Sequence, residues 1–200
     1  MSRTLSVIDV CKMIEARGGC DLTLAPYRVS DELSPEMRVR ILTAMARAGA
    51  QSEKICAATD AALAKYLPKG FTVQEADDEA VANALLAFVQ KDIGYVDDPS
   101  GEWYQGPIYT LERGGDCEDL VALFAALCQC AGVQSRIVWM DQPHAKLNHV
   151  TAQVLIPERG WQFAETTIES ARVGQHPYAA ARRHKTANRS ETAAYRLGFR

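Results

Sequence analysis

The spacing of apolar residues changes twice along this chain, from helical to irregular and then to alternating. From Met37 to about Tyr66, the residues Ile41, Leu42, Met45, Ile55, Leu63 and Tyr66 form an interrupted helical stripe in an alanine-rich background. Ser34-Pro35-Glu36 reads as its start, with a serine cap, proline at the first helical position and an acid in the first turn. Gly49 is a candidate break, and Leu67-Pro68-Lys69-Gly70 ends the stretch. Asp77 and Asp78 are candidate caps for a second helix over roughly 79–92, with Val81, Leu85, Phe88 and Val89 on one face. Gly94, Pro99, Gly101, Gly106, Pro107, Gly114 and Gly115 then predict a long ordered loop over 93–116. The run Leu120–Leu127 is apolar throughout and predicts a buried helix over about 117–131, closed by Gly132 as a left-handed cap. Beyond it the period shortens to that of strands, at 135–140, 148–156 and 161–166, with a turn at Pro157-Glu158-Arg159-Gly160. Helices followed by one helix packed on an antiparallel sheet make an α+β arrangement.

At 200 residues, with 48% hydrophobic and 24% charged residues, the chain suits one globular domain with an extension. The expected division is a helical N-terminal extension over 1–75, a core over 76–170 and a basic tail over 171–200. Net charge is −3, yet the tail holds Arg172, Arg182, Arg183, Lys185, Arg189, Arg196 and Arg200 against Glu191 alone. Its +6 leaves −9 for the rest, so the tail is expected to be a solvated extension, with folding back on the acidic body or meeting an acidic partner as the alternatives. No apolar run of about 18 residues predicts a membrane span, and charge interrupts the N-terminus too early for a signal-peptide core. A cytoplasmic protein or a component of a larger particle is expected, with no membrane partner; a nucleic-acid partner is not expected but is left open. Cysteines 11, 20, 56, 117, 128 and 130 are irregularly spaced and do not read as a disulfide framework, which points to a reducing compartment.

The candidate chemistry centres on Gly114-Gly115-Asp116-Cys117-Glu118-Asp119, which opens directly into the apolar helix. A helix start presents unpaired N–H groups and the positive end of the helix dipole, which favour a thiolate at Cys117. Asp116 and Glu118 oppose it by like-charge repulsion, so the outcome turns on side-chain direction. His149 and then Glu165 follow as a base and a group to orient it. If strands 148–156 and 161–166 form a hairpin, the midpoint of 149 and 165 is Pro157, at the head of the predicted turn. Directly opposed residues share a face, so the imidazole and the carboxylate are expected side by side. A slip of one residue would separate them. Gln105 and Trp103 are candidate oxyanion donors on the loop that leads to Cys117. A zinc site is excluded, because Cys117 and Cys128 stand about 16 Å apart on one helix and Cys128 and Cys130 about 200° apart. His144 is the alternative base, and His176 and His184 read as tail residues.

Gly115-Asp116-Cys117-Glu118-Asp119, then Gly132-Val133 and Ser135-Arg136-Ile137-Val138, then His149, then Gly160-Trp161 and an acid on the last strand resemble the transglutaminase-like superfamily. Within it the chain is most similar to the bacterial transglutaminase-like cysteine proteinases, over about residues 80–168. The resemblance implies a papain-like core in which Cys117 is the nucleophile, His149 the base and Glu165, where the family usually has Asp, the third member. It implies a thiol peptidase or isopeptidase acting on a protein or peptide amide through a thioester, with no required cofactor. Some members bind calcium through acids flanking the nucleophile, which here are Asp116 and Glu118. The alternatives are a protein-crosslinking transglutaminase and a non-catalytic module of a larger assembly such as a phage particle.

Overall fold

A computed structural model describes residues 21–24, 26–30, 32–69, 76–140 and 149–175, and the backbone of 194–198. The elements run β1 (Pro26–Val29), α1 (Pro35–Gly49), α2 (Glu53–Tyr66), α3 (Asp78–Asp92), β2 (Glu102–Gln105), α4 (Pro107–Arg113), α5 (Cys117–Cys130), β3 (Ser135–Met140), β4 (His149–Ile156), β5 (Gly160–Ala164) and β6 (Ala194–Gly198). Ser34 caps α1 by accepting from the Met37 N–H, Ser52 caps α2 through the Lys54 N–H, and Asp77 caps α3 through the Ala80 N–H. The long alanine-rich stretch is therefore two helices, parted between Gly49 and Glu53.

The predicted loop over 93–116 carries two elements that its glycines and prolines conceal. β2 pairs antiparallel with β1, from Pro26 opposite Gln105 to Val29 opposite Glu102, and Pro107 starts the short helix α4. Arg38 of α1, which is buried, locks this small sheet in place. Its guanidinium reaches Glu102 at 2.5 Å and the Tyr104 hydroxyl at 3.3 Å, and its Nε donates to the Leu33 carbonyl.

The second sheet is antiparallel with strand order β5-β4-β3-β6. β6 corrects the reading of the tail as a solvated extension, because residues 194–198 form the fourth strand of the sheet beside β3. Of the other tail cations Arg172 is described, and those at 182, 183, 185, 189 and 200 lie outside the described residues.

The middle of the molecule is α5. Leu120, Leu123, Phe124 and Leu127 are buried, and the helix touches α1, α2, α3 and α4 as well as β3 and β4. A helix apolar on every side has to be enclosed on every side. Each of these side chains contributes roughly 1.5–3 kcal/mol by burial. The apolar stripes of α1 and α2 belong to this same core, so the helical extension closes over α5 rather than standing apart from it. Its first 20 residues lie outside the described residues.

Cys56 of α2 and Cys130 at the end of α5 form a disulfide, with Cα atoms 5.3 Å apart and 74 residues between them in sequence. This corrects the expectation of free thiols. Spacing along the chain carries no sign of it, because the pair is created by the packing of α2 on α5.

Candidate active site

Cys117 is the first residue of α5, and the approach to it is built from close backbone contacts. Gly114 has φ +79°, and a Cβ there would stand 2.3 Å from the Gly94 carbonyl oxygen. Residues 94–96 run beside it: Gly115 donates its N–H to the Gly94 carbonyl at 3.2 Å and accepts the Val96 N–H at 3.0 Å. The two glycines thus let the chain pass close to its neighbour and turn into the helix.

His149 opens β4 and Glu165 follows directly after β5. The observed pairing sets Ala152 against Ala164 and Ile156 against Gly160, which centres the turn on Glu158 rather than Pro157. The cause is a connection of three residues, with the Arg159 N–H returning to the Ile156 carbonyl and Glu158 at φ 64°. The expected register is therefore wrong by two residues. Because two is the period of a strand, His149 and Glu165 keep a common face as diagonal rather than direct neighbours. The length of the glutamate spans the diagonal, and His149 Nε2 lies 2.7 Å from Glu165 Oε2.

Glu165 is completely buried. Burial raises its pKa, but the hydrogen bond and charge of His149 and two donors from Thr167 outweigh burial and hold the carboxyl below its ordinary value. Thr167 donates its N–H (2.9 Å) and its hydroxyl (2.7 Å) to Oε1. Gln90 of α3 donates to the backbone carbonyls of Glu165 and Ala171. Sequence reasoning missed both residues; a threonine two places after the acid was the available signal for one of them.

The Cys117 thiol donates to Glu118 Oε2 at 3.0 Å. Burial pushes its pKa up most, the neighbouring Glu118 and Asp116 charges push it further, and the Val150 backbone N–H opposes them. That N–H belongs to the residue after His149, so the start of β4 faces the sulfur. Burial, with the acids second to it, thus prevails over the helix terminus, which leaves Cys117 a protonated thiol in this arrangement.

Asp116 is raised to about 6, first by burial and then by the Asp98 and Glu102 charges. Glu118 is raised well above its ordinary value, first by burial and then by the Asp116 charge. Asp116, Cys117 and Glu118 offer three donor atoms within 4.8 Å of one another. Asp116 Oδ1 is buried and has no hydrogen-bond partner among the described residues. Hard carboxylate oxygens, one of them unsatisfied, suit part of the shell of a hard divalent cation such as calcium, which takes 6–8 oxygens.

Of the two candidate oxyanion donors, Trp103 gives its indole N–H to the Ser100 carbonyl at 2.8 Å, so that donor is already engaged. Gln105 is buried and is held against α5, with its backbone N–H donating to Asp119 Oδ1 at 2.7 Å and its side-chain Nε2 donating to Asp119 Oδ2. His144, His176 and His184 lie outside the described residues. Trp161 is half-buried and stacks on the Arg136 guanidinium at 4.1 Å.

The helix that carries a cysteine at its start, packed on an antiparallel sheet that carries histidine and acid, defines a class. Residues 65–166 match the family model for the transglutaminase-like superfamily, and the chain belongs to that superfamily. No curated protein matches it significantly. Among solved structures it is similar to a candidate cysteine protease from Cytophaga hutchinsonii, with 19% identity and a TM-score of 0.42 over 55% of this chain. The chain spans 36% of that protein's length. It is also similar to Legionella pneumophila LapG, with 18% identity and a TM-score of 0.43, over 70% of this chain and 76% of LapG. At these scores neither likeness bears on activity. No helix among the described residues is long and apolar enough to cross a membrane.

Proposed function

We propose that the protein is a thiol acyl hydrolase, a cysteine peptidase or isopeptidase, with Cys117 as nucleophile, His149 as base and Glu165 as the group that orients the base. The supporting observation is the 2.7 Å contact between His149 Nε2 and the buried Glu165, at the strand start that faces the Cys117 sulfur. With Nε2 on Glu165, Nδ1 is the nitrogen that takes the thiol proton. The sulfur attacks the acyl carbon of an amide, and the proton passes from His149 to the leaving amine. Water then releases the acyl group from the thioester. The Cys117 backbone N–H at the helix start and the Gln105 side chain are the oxyanion donors in this reading.

Asp116 and Glu118 would hold calcium when it binds. Its charge would offset the two carboxylates that add to the effect of burial on the thiol.

The thiol's hydrogen bond to Glu118 favours a second reading, in which the domain is a non-catalytic module of a larger assembly. The two readings separate in one experiment. Wild-type protein and Cys117→Ala are incubated with a denatured proteome in calcium, and new N-termini are identified by mass spectrometry. Termini that appear only with wild type support the hydrolase. Identical sets, together with no incorporation of a fluorescent amine, leave the module.

A further inference from the structure

Asp119 is fully buried in the first turn of α5, two residues past Cys117. An acid so placed in a helix commonly turns back on its own N-terminal N–H groups. Here both oxygens point outward to one residue of another element. Oδ1 accepts the Gln105 backbone N–H at 2.7 Å, and Oδ2 accepts the Gln105 side-chain Nε2. Gly115 makes the space, because a Cβ on it would lie 2.5 Å from both Asp119 Cβ and Oδ2. The nitrogen end of the Gln105 amide thus faces Oδ2 while its backbone N–H occupies Oδ1, so the carboxyl group grips the residue at two points. The same bond fixes the plane of the amide, and its second N–H is carried on that plane away from Asp119.

We propose that Asp119 is a positioning residue that presents the second Nε2 N–H of Gln105 to the oxyanion formed at Cys117. The inference rests on the reading of Cys117 as nucleophile. It assigns the last acid of the Gly-Asp-Cys-Glu-Asp run a task separate from that of Asp116 and Glu118. A donor held in advance of the reaction needs no reorganisation when charge develops on the carbonyl oxygen, which is where such groups have their effect.

The test compares two reactions of the same sulfur. With 4-nitrophenyl acetate, the Sγ–C bond forms while the carbonyl electron pair moves to oxygen. Collapse then breaks the C–O bond, 4-nitrophenolate leaves with the electron pair, and the thiol proton goes to His149. With iodoacetamide, the sulfur displaces iodide at a saturated carbon and no oxyanion forms. A merely structural role for Asp119 would change both rates together, whereas positioning of Gln105 changes only the first. The ratio of acylation to alkylation should fall about 10- to 100-fold in Asp119→Asn and in Gln105→Ala, with no further fall in the double variant.

A Cys117-dependent acylation in wild type with an unchanged ratio in Asp119→Asn would overturn the positioning role alone. Acylation that survives Cys117→Ala would overturn the nucleophile and, with it, the proposal. Should Asp119→Asn fail to fold, the side-chain amide of Gln105 is read by NMR in labelled wild-type protein. One proton shifted downfield and slow to exchange supports the proposal, and two equivalent, fast-exchanging protons refute it.

Discussion

Replacing Asp116 with asparagine should make the protein more stable at neutral pH and leave it unchanged in acid. Asp116 stands at the N-terminus of α5, half-buried, with one oxygen lacking a partner among the described residues and with Asp98 and Glu102 as the charged neighbours that raise it. Its pKa rises from the ordinary 3.8 to about 6, so the folded chain binds a proton that the unfolded chain releases between those values. Stability contributed by that proton is complete below 3.8 and is lost as pH rises through 6. At about 1.4 kcal/mol per pH unit the loss is about 3 kcal/mol, and screening at a partly exposed carboxyl lowers it to about 2 kcal/mol. Asp116→Asn removes the ionisation. For a chain of this size the variant should melt roughly 4–8 °C above wild type at pH 7.5 in the absence of divalent cations. At pH 3.5 the two should coincide. The assay is thermal unfolding by circular dichroism at both pH values, checked by urea titration. A variant less stable than wild type at pH 7.5, or an equal difference at both pH values, would refute the reasoning.

Calcium at millimolar concentration should raise the melting temperature of wild type at pH 7.5 and leave Asp116→Asn unmoved, as differential scanning fluorimetry would show. Glu118→Gln takes one acid from the sulfur and should speed iodoacetamide alkylation of Cys117 at pH 7 by about tenfold; an unchanged rate would discount the acid's hold on the thiol. Because Glu165 lies below its ordinary 4.5, the stability it adds is present above that value and is lost as pH falls below it. Glu165→Gln should flatten this part of the unfolding curve and lower any Cys117-dependent turnover by about 10²–10⁴. Reducing the Cys56–Cys130 bond should cost about 2–4 kcal/mol in urea unfolding, since it closes a long loop of the unfolded chain.

The strand period is what made the histidine and the acid legible. A register wrong by two residues still put His149 and Glu165 on one face, because faces repeat every second residue. The buried helix behind Cys117 was legible for a similar reason, since an all-apolar run has few other places to be. What escaped were pairings made far along the chain. β2 is strand-like only in the presence of β1, and Glu102-Trp103-Tyr104-Gln105 has too little alternation to reveal it among glycines. β6 was hidden in a segment whose cations drew attention to solvent. The Asp119–Gln105 clasp spans two elements that sequence order does not bring together, and the disulfide of α2 and α5 likewise comes from packing.

That disulfide leaves the sulfur of Cys117 alone. Cys56 and Cys130 are spent on each other, and among the described residues the other thiol is Cys128, fully buried and about 16 Å farther along the same helix. Peroxide that reaches Cys117 makes a sulfenic acid with no resolving thiol among these residues. Further oxidation then carries it to the sulfinic and sulfonic acids, from which ordinary thiols do not return it. Conditions that keep the cross-link closed are those that put the half-buried Cys117 sulfur at risk. The two sulfur sites therefore set opposite bounds on the redox environment in which the chain keeps both its cross-link and a reduced Cys117.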